Sequence, residues 1–264
     1  MGNGTEVKIG IHPSGEKIIF REQEHTYETE KCKDFVSCTT FIGSFFEEFD
    51  TETISANYAR KHGLDQAEVI RMWEEKKVHA CELGTKVHFF CEKLMEGQPC
   101  PAPSTEEETA LFRVAANAVS RLKNKYEFVS TEAIVFSNKY RLAGMIDLLM
   151  RDPVNGDLLI LDWKTNKKIQ FENRWRRGFD PIRHLEDTSF NHYSLQLSLY
   201  KKIMTEEGYF DGNSGIRLGL IHLTHDKPVW LKVDAMDTEI EQMLAFRLNE
   251  LAAFAGSSEE LVLA

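Results

Sequence analysis

Leu158-Leu159-Ile160-Leu161 runs without a polar interruption into Asp162-Trp163-Lys164, the pattern of a buried strand whose end carries charge. Side chains alternate along a strand, so Asp162 and Lys164 share one face and Trp163 takes the other. A second apolar run, Leu142 to Met150, has one carboxylate, Asp147, in its middle. Between the runs, Asp152-Pro153-Val154-Asn155-Gly156-Asp157 is dense in turn formers. The two runs predict a hairpin that brings Asp147 beside Asp162.

Elsewhere the pattern alternates between strand and helix periods. Val7–Ile11 and Lys17–Phe20 flank His12-Pro13-Ser14-Gly15, and His25–Glu28 adds a short third strand. Ser37 or Thr39 is suited to cap a following helix. From about Asp50 to Glu96 the chain reads as helical, broken near Gly63, with Ile70, Trp73, Val78, Cys81 and Val87 on one stripe. Gly97 to Ser104, with Pro101 and Pro103, is a linker. Glu106–Tyr126 is an amphipathic helix, Thr131–Phe136 the first central strand and Asn191–Met204 another helix. Ile216–Leu223 and Val229–Val233 read as the last strands, and Ile240–Phe254 as a closing helix. Thr165 to Thr188 lacks periodicity, a length that in a compact domain marks function or mobility.

The chemistry concentrates where the predicted hairpin converges. An Asp-x-Lys alone is equally served by a local ion pair. Two acids and a lysine inside apolar strands favour a divalent cation instead. Glu132, near the start of its strand, is either another metal-proximal acid or a solvated charge. His88, on a helix beside Phe89 and Phe90, reads on its own as a packed histidine. His12, His25, His184, His192, His222 and His225 carry no motif and read as structural. Gln196 and Tyr200 lie one helical turn apart and share a face.

Gly144-x-x-Asp147, then Asp162-x-Lys164, then Gln196-x-x-x-Tyr200, with Gly84-Thr85-x-x-His88 upstream, resembles the RecB-like branch of the PD-(D/E)xK nuclease superfamily. Mitochondrial genome maintenance exonucleases, phage and viral exonucleases and CRISPR adaptation nucleases belong to that branch. The resemblance spans roughly Gly84 to Met204. It implies an α/β fold with a restriction-endonuclease-like core, a central mixed β-sheet flanked by helices, preceded by an N-terminal β-hairpin and helical region. Residues 1–100 would supply that region and the histidine motif, and residues 101–264 the nuclease core.

For the site, the resemblance implies Asp147 and Asp162 as ligands of Mg²⁺ or Mn²⁺. His88 and the Trp163 backbone carbonyl would complete the shell, with Glu132 nearby. Lys164 would position the attacking water or stabilise the pentavalent phosphate, while Gln196 and Tyr200 orient substrate or lysine. The implied activity is metal-dependent hydrolysis of DNA, as an exonuclease on single-stranded or free ends, in repair, recombination or replication. A structure-specific endonuclease is the alternative within the class. A catalytically silent DNA-binding subunit is the alternative outside it, against which the intact Asp147, Asp162 and Lys164 speak.

Composition changes this picture in three places. The net charge of −10 argues against broad nonspecific nucleic-acid binding, yet residues 164 to 184 carry seven basic and two acidic side chains. Lys167, Lys168, Arg174, Arg176 and Arg177 are interleaved there with Trp175, as suits phosphates on cations and bases on rings, although a solvated loop would look the same. Second, all five cysteines lie at or before Cys100 without a C-x-x-C, which reads as reduced thiols. Several RecB-like nucleases hold an iron–sulfur cluster with three cysteines after the core, so no iron–sulfur cluster is expected here. Third, the 264 residues are 42% hydrophobic and 28% charged, enough for a large core. No apolar stretch approaches the ~18 residues of a membrane span. The start Met1–Glu6 has neither a secretory nor a myristoylation pattern, so an intracellular protein, cytoplasmic or in a viral host cell, with no membrane partner is expected. No feature identifies a protein partner.

Overall fold

The computed structural model describes residues 7–260; the start at Met1–Glu6, read above for leader signals, lies outside them. Strands β1 (Val7–Ile11), β2 (Lys17–Arg21) and β3 (Thr26–Thr29) form an antiparallel sheet in that order. Strand alternation sends Ile18, Phe20 and Tyr27 to its buried face. There they pack with Phe35 on Ile134, Phe136 and Ala143 of the larger sheet. Gly10 permits this approach, because a Cβ there would stand 2.7 Å from Ile134 Cβ.

The larger, mixed sheet has six strands: β4 (Val36–Ser37), β5 (Glu127–Ser137), β6 (Leu142–Arg151), β7 (Leu158–Lys164), β8 (Ile216–Leu223) and β9 (Pro228–Val233). The predicted hairpin is β6–β7, antiparallel from Leu148↔Leu161 to Arg151↔Leu158. Strand β5 lies along one edge of β6 for its length, from Glu127↔Arg151 to Ser137↔Leu142. The other edge is shared: β4 pairs parallel with Leu142–Ala143, and β7 takes only Leu148 onward. Between them, residues 144–147 of β6 face a gap. Past Leu161, β7 leaves β6 and continues beside β8 in parallel, to Lys164↔His222.

Helices cover both faces, which is why these strands read as near-continuous apolar runs. Helix α3 (Gln66–Glu96) and α4 (Glu106–Lys125) lie on one face. Their Val87, Cys91, Met95, Leu111, Ala115 and Leu122 pack on Leu148, Leu159, Leu161 and Trp163. Helices α1 (Cys38–Gly43), α5 (Ser189–Glu206) and α6 (Asp237–Glu260) take the other, packing on Ile146, Leu158, Ile160 and Leu220. Caps explain the boundaries: Ser37 accepts from Thr40 N, Asp65 from Glu68 N, Thr105 from Glu108 N and Thr188 from Asn191 N. The predicted break is where α2 (Thr51–His62) ends on Gly63 at φ 67°.

One helical expectation is corrected. The stripe from Ile70 to Val87 does not form a buried face, because residues 74–82 of α3 are all exposed, Val78 and Cys81 included. The helix is anchored at Val69 near its start and at Val87, Cys91 and Met95 toward its end. Its middle spans a cleft. Residues 165–188 are irregular apart from one bridge, Arg177↔Glu186, yet Ile169 and Ile182 are buried and Phe179 N donates to Phe45 O at 2.7 Å.

Candidate active site

The gap in the β6 edge organises the site. Asp147 sits at its end, and its Oδ2 accepts from Trp163 N at 2.9 Å. The side chain satisfies a backbone amide at the point where β7 has parted from β6. Gly144 sits at the other end, under the ring of Tyr200. A Cβ at 144 would stand 2.4 Å from Tyr200 Cε1 and 3.1 Å from Cys38 Sγ. Gln196, one turn earlier on α5, donates to Tyr200 Oη at 3.1 Å and reaches Asp162 Oδ1 at 3.4 Å. The motif glycine, tyrosine, glutamine and aspartate thus form one chain of contacts.

Asp162 and Lys164 share a face of β7, as alternation requires, and Lys164 Nζ lies 2.7 Å from Asp162 Oδ2. The same ammonium stands 4.3 Å from the centre of the Tyr193 ring. Despite the close charge, Asp162 Oδ2 is buried without an aligned hydrogen bond. We take the contact as an ion pair that leaves part of that oxygen available. Burial works against the Lys164 charge, but Asp162 and Asp147 outweigh it and hold the pKa above the usual lysine range.

His88 projects from α3 with Nδ1 3.3 Å from Asp147 Oδ2, and its ring also meets the Trp163 carbonyl. Burial lowers its pKa more than the Asp162 charge raises it, which favours the neutral imidazole that a metal requires. Gly84 lies one turn before His88, and a Cβ there would stand 3.3 Å from Thr165 Oγ1. The helix therefore passes close over the residue that follows Lys164. Glu132 occupies the β5 position facing Asp147, between the Thr131–Leu148 and Ala133–Ile146 pairs. Its φ of 49° is a left-handed conformation that costs a non-glycine residue energy and is concentrated at functional sites.

Ligand atoms of His88, Glu132 and Asp147 lie within 4.8 Å of one another. Burial, then the neighbouring Asp162 charge, holds the Asp147 carboxyl well above the usual range. Burial and the Asp147 charge also raise the Glu132 carboxyl. Crowded carboxylates that resist ionisation, beside a neutral imidazole, fit a divalent cation with oxygen and nitrogen ligands.

Other expected residues fare unevenly. Lys167 and Lys168 are exposed, as are Arg174 and Trp175, the latter 93% so. Arg176 is not a free cation: its Nε lies 3.1 Å from Asp187 Oδ2 and 3.5 Å from Glu47 Oε2, and its guanidinium also donates to the Glu47 carbonyl. Arg177 is half committed, donating to the His184 carbonyl at 2.9 Å with Glu186 at 3.7 Å. Counting charge along the sequence sees these cations but not the acids that hold them.

Four residues near the site went unread. Tyr193 carries a signal, being one turn before Gln196 on the same helix. Lys76 and Lys77, on the exposed middle of α3, line a cleft of about 990 Å³ with Thr165, Asn166, Lys167 and His225. Lys8, on β1, reaches Glu132 Oε2 at 3.1 Å from 124 residues away, a contact that no local pattern contains.

A comparison with curated proteins finds no match. Among solved structures, a candidate exonuclease from Eubacterium rectale is similar at 10% identity, over 83% of this chain and 79% of that one, with a TM-score of 0.35. The structure of SSO0001 is similar at 15% identity, over 63% and 74%, with a TM-score of 0.27. Residues 61–262 match the model of the PD-(D/E)XK nuclease superfamily, a span that takes in His88, Glu132, Asp147, Asp162 and Lys164, and the chain belongs to that superfamily.

Proposed function

We propose that this chain is a divalent-metal-dependent deoxyribonuclease that acts as an exonuclease on single-stranded DNA ends. The observation that carries the metal-dependent chemistry is the convergence of His88, Glu132 and Asp147 with the Asp162–Lys164 pair at the open edge of β6. Asp147, Asp162 and His88 would hold Mg²⁺ or Mn²⁺, with the Trp163 carbonyl and Glu132 at its side. When bound, the ion would lower the pKa of a coordinated water and offset charge on the phosphate. Lys164, kept protonated by its two acids, would meet the charge that builds on the phosphate oxygens. Tyr193 stiffens that ammonium, and Gln196 with Tyr200 fixes the Asp162 carboxylate. Residues 1–100 would serve as the region that carries His88, and residues 101–264 as the catalytic core.

The preference for a single strand rests on two features. The cleft under α3 opens beside Thr165, next to Lys164, and carries Lys76, Lys77 and Lys167. Arg174 and Trp175 project into solvent from the loop after the catalytic strand, offering a cation and a stacking surface. End-labelled single- and double-stranded DNA, linear and circular, incubated with Mg²⁺, Mn²⁺ or chelator, tests the proposal. Release of mononucleotides or short products from linear single strands only, abolished by chelator, is expected. Cleavage of circles would replace the exonuclease with an endonuclease, and no cleavage in either metal would remove the activity.

A further inference from the structure

Lys8 lies outside the matched span 61–262 and in none of the sequence motifs. Strand β1 alternates, with Val7, Ile9 and Ile11 exposed while Lys8 and Gly10 turn toward β5. Gly10 lies on Ile134, and two residues earlier Lys8 Nζ lies 3.1 Å from Glu132 Oε2. Glu132 and Ile134 share a face of β5, so the crossing is in register. The crossing strand therefore delivers one ammonium to the one acid of the cluster whose backbone is left-handed, φ 49°.

We propose that Lys8 is a second active-site cation, which holds Glu132 in place beside His88 and Asp147 and meets the charge of the scissile phosphate from the β5 side. This rests on the nuclease activity proposed above. The charges favour it over a structural staple. Glu132, Asp147 and Asp162 oppose Lys164 and Lys8, for a formal charge of −1. A divalent ion takes this to +1, and a phosphodiester then makes the assembly neutral. Without Lys8 the loaded site would be anionic as a further negative charge develops in the transition state. As a staple the pair would do little, because a partly exposed ion pair adds little stability. The sheet is already fixed by Ile18, Phe20 and Tyr27.

The test uses the full chain with Lys8→Gln, which keeps a hydrogen bond to Glu132 without the charge, together with Lys8→Met, Lys8→Arg and Asp162→Asn. Mn²⁺ affinity is read by calorimetry, cleavage of end-labelled single-stranded DNA under single turnover, and folding by thermal melting. Removing a repelling charge should tighten Mn²⁺ in Lys8→Gln by about tenfold, while the cleavage rate falls by about 10- to 100-fold. Lys8→Arg should restore the rate. Affinity and rate moving in opposite directions is a signature that loss of structure cannot produce. An unchanged rate, or a joint fall in melting temperature, affinity and rate in Lys8→Gln, overturns the assignment; if Lys8→Met does not fold, Lys8→Gln decides. Unimpaired cleavage by Asp162→Asn would instead overturn the placement of the nuclease site, and no cleavage by the unsubstituted chain in Mg²⁺ or Mn²⁺ would overturn the nuclease activity itself.

Discussion

Gly144→Ala isolates the part of the site that depends on close approach alone. Gly144 is not among the residues with positive φ, so alanine brings no backbone penalty, and its whole effect comes from one methyl. That methyl would stand 2.4 Å from Tyr200 Cε1 and 3.1 Å from both Tyr200 Cζ and Cys38 Sγ. Ordinary carbon contacts are about 3.5–4.0 Å, so the ring must retreat by more than about 1 Å. Tyr200 is fully enclosed in the core, and overpacking of such a site typically costs about 1–3 kcal/mol. The displacement also travels through Gln196, 3.1 Å from Tyr200 Oη and 3.4 Å from Asp162 Oδ1. A misplacement of about 1 Å at a catalytic group costs on the order of 10²-fold in rate. The assay is urea denaturation with single-turnover cleavage, for Gly144→Ala, Tyr200→Leu and the double variant. Because both act on one contact, the double variant should lose far less than the sum of the singles. Additive losses, or a Gly144→Ala protein that cleaves like wild type, would refute the contact chain.

Asp162→Asn should lower the cleavage rate by about 10²–10³ or more while leaving the fold intact by circular dichroism. Asp147→Asn should stabilise the metal-free protein, and the gain should grow with pH. The folded pKa is raised by burial and by Asp162, so ionisation costs stability progressively as pH climbs above the unfolded value of about 3.9; melting in chelator across pH 4–8 reads this, and an equal gain at every pH would contradict it. His88→Ala should weaken Mn²⁺ binding in calorimetry with little change in the metal-free melting temperature. In Ca²⁺, Arg174→Ala should reduce the slope of log K against log salt by about 0.7 for a single strand, whereas Trp175→Ala should cost about 1–3 kcal/mol with the slope unchanged. Arg176→Ala should leave that slope alone and lower stability by about 1–2 kcal/mol, since Asp187 and Glu47 lose their cation.

What could be read in advance follows from how far each signal extends. The hairpin of β6 and β7 was legible because a strand buried on both faces must be apolar throughout, so a carboxylate inside it stands out. Helix ends were legible where Ser37, Thr188 and Gly63 advertise caps. The stripe on α3 misled because periodicity reports a face and not what covers it. The middle of that helix spans a cleft instead of a core. Arg176 misled for the same reason, its acids lying 11 residues ahead at Asp187 and far behind at Glu47. Strand β4 contributes only Val36 and Ser37, too short for any period to register, and the contact of Lys8 with Glu132 is purely tertiary.

That two-residue strand has a consequence for the chemistry. Were β7 to follow β6 over its whole length, the edge of β6 at 144–147 would be filled by ladder hydrogen bonds, and Asp147 would face a paired neighbour. Instead β4 claims Leu142 and Ala143 and β7 claims Leu148 onward, so the sheet opens between them. Two motif residues stand at the ends of that opening. Gly144 is needed because the ring of Tyr200 lies against the face of β6 where a side chain at 144 would stand, and Asp147 is needed because Trp163 N has lost its strand partner. A carboxylate that accepts from that amide is fixed in orientation, with His88 Nδ1 3.3 Å from the same oxygen. The spacing Gly-x-x-Asp is then the width of an opening in a β-ladder, and a substitution that closes it should remove the site while leaving the sheet more regular than before.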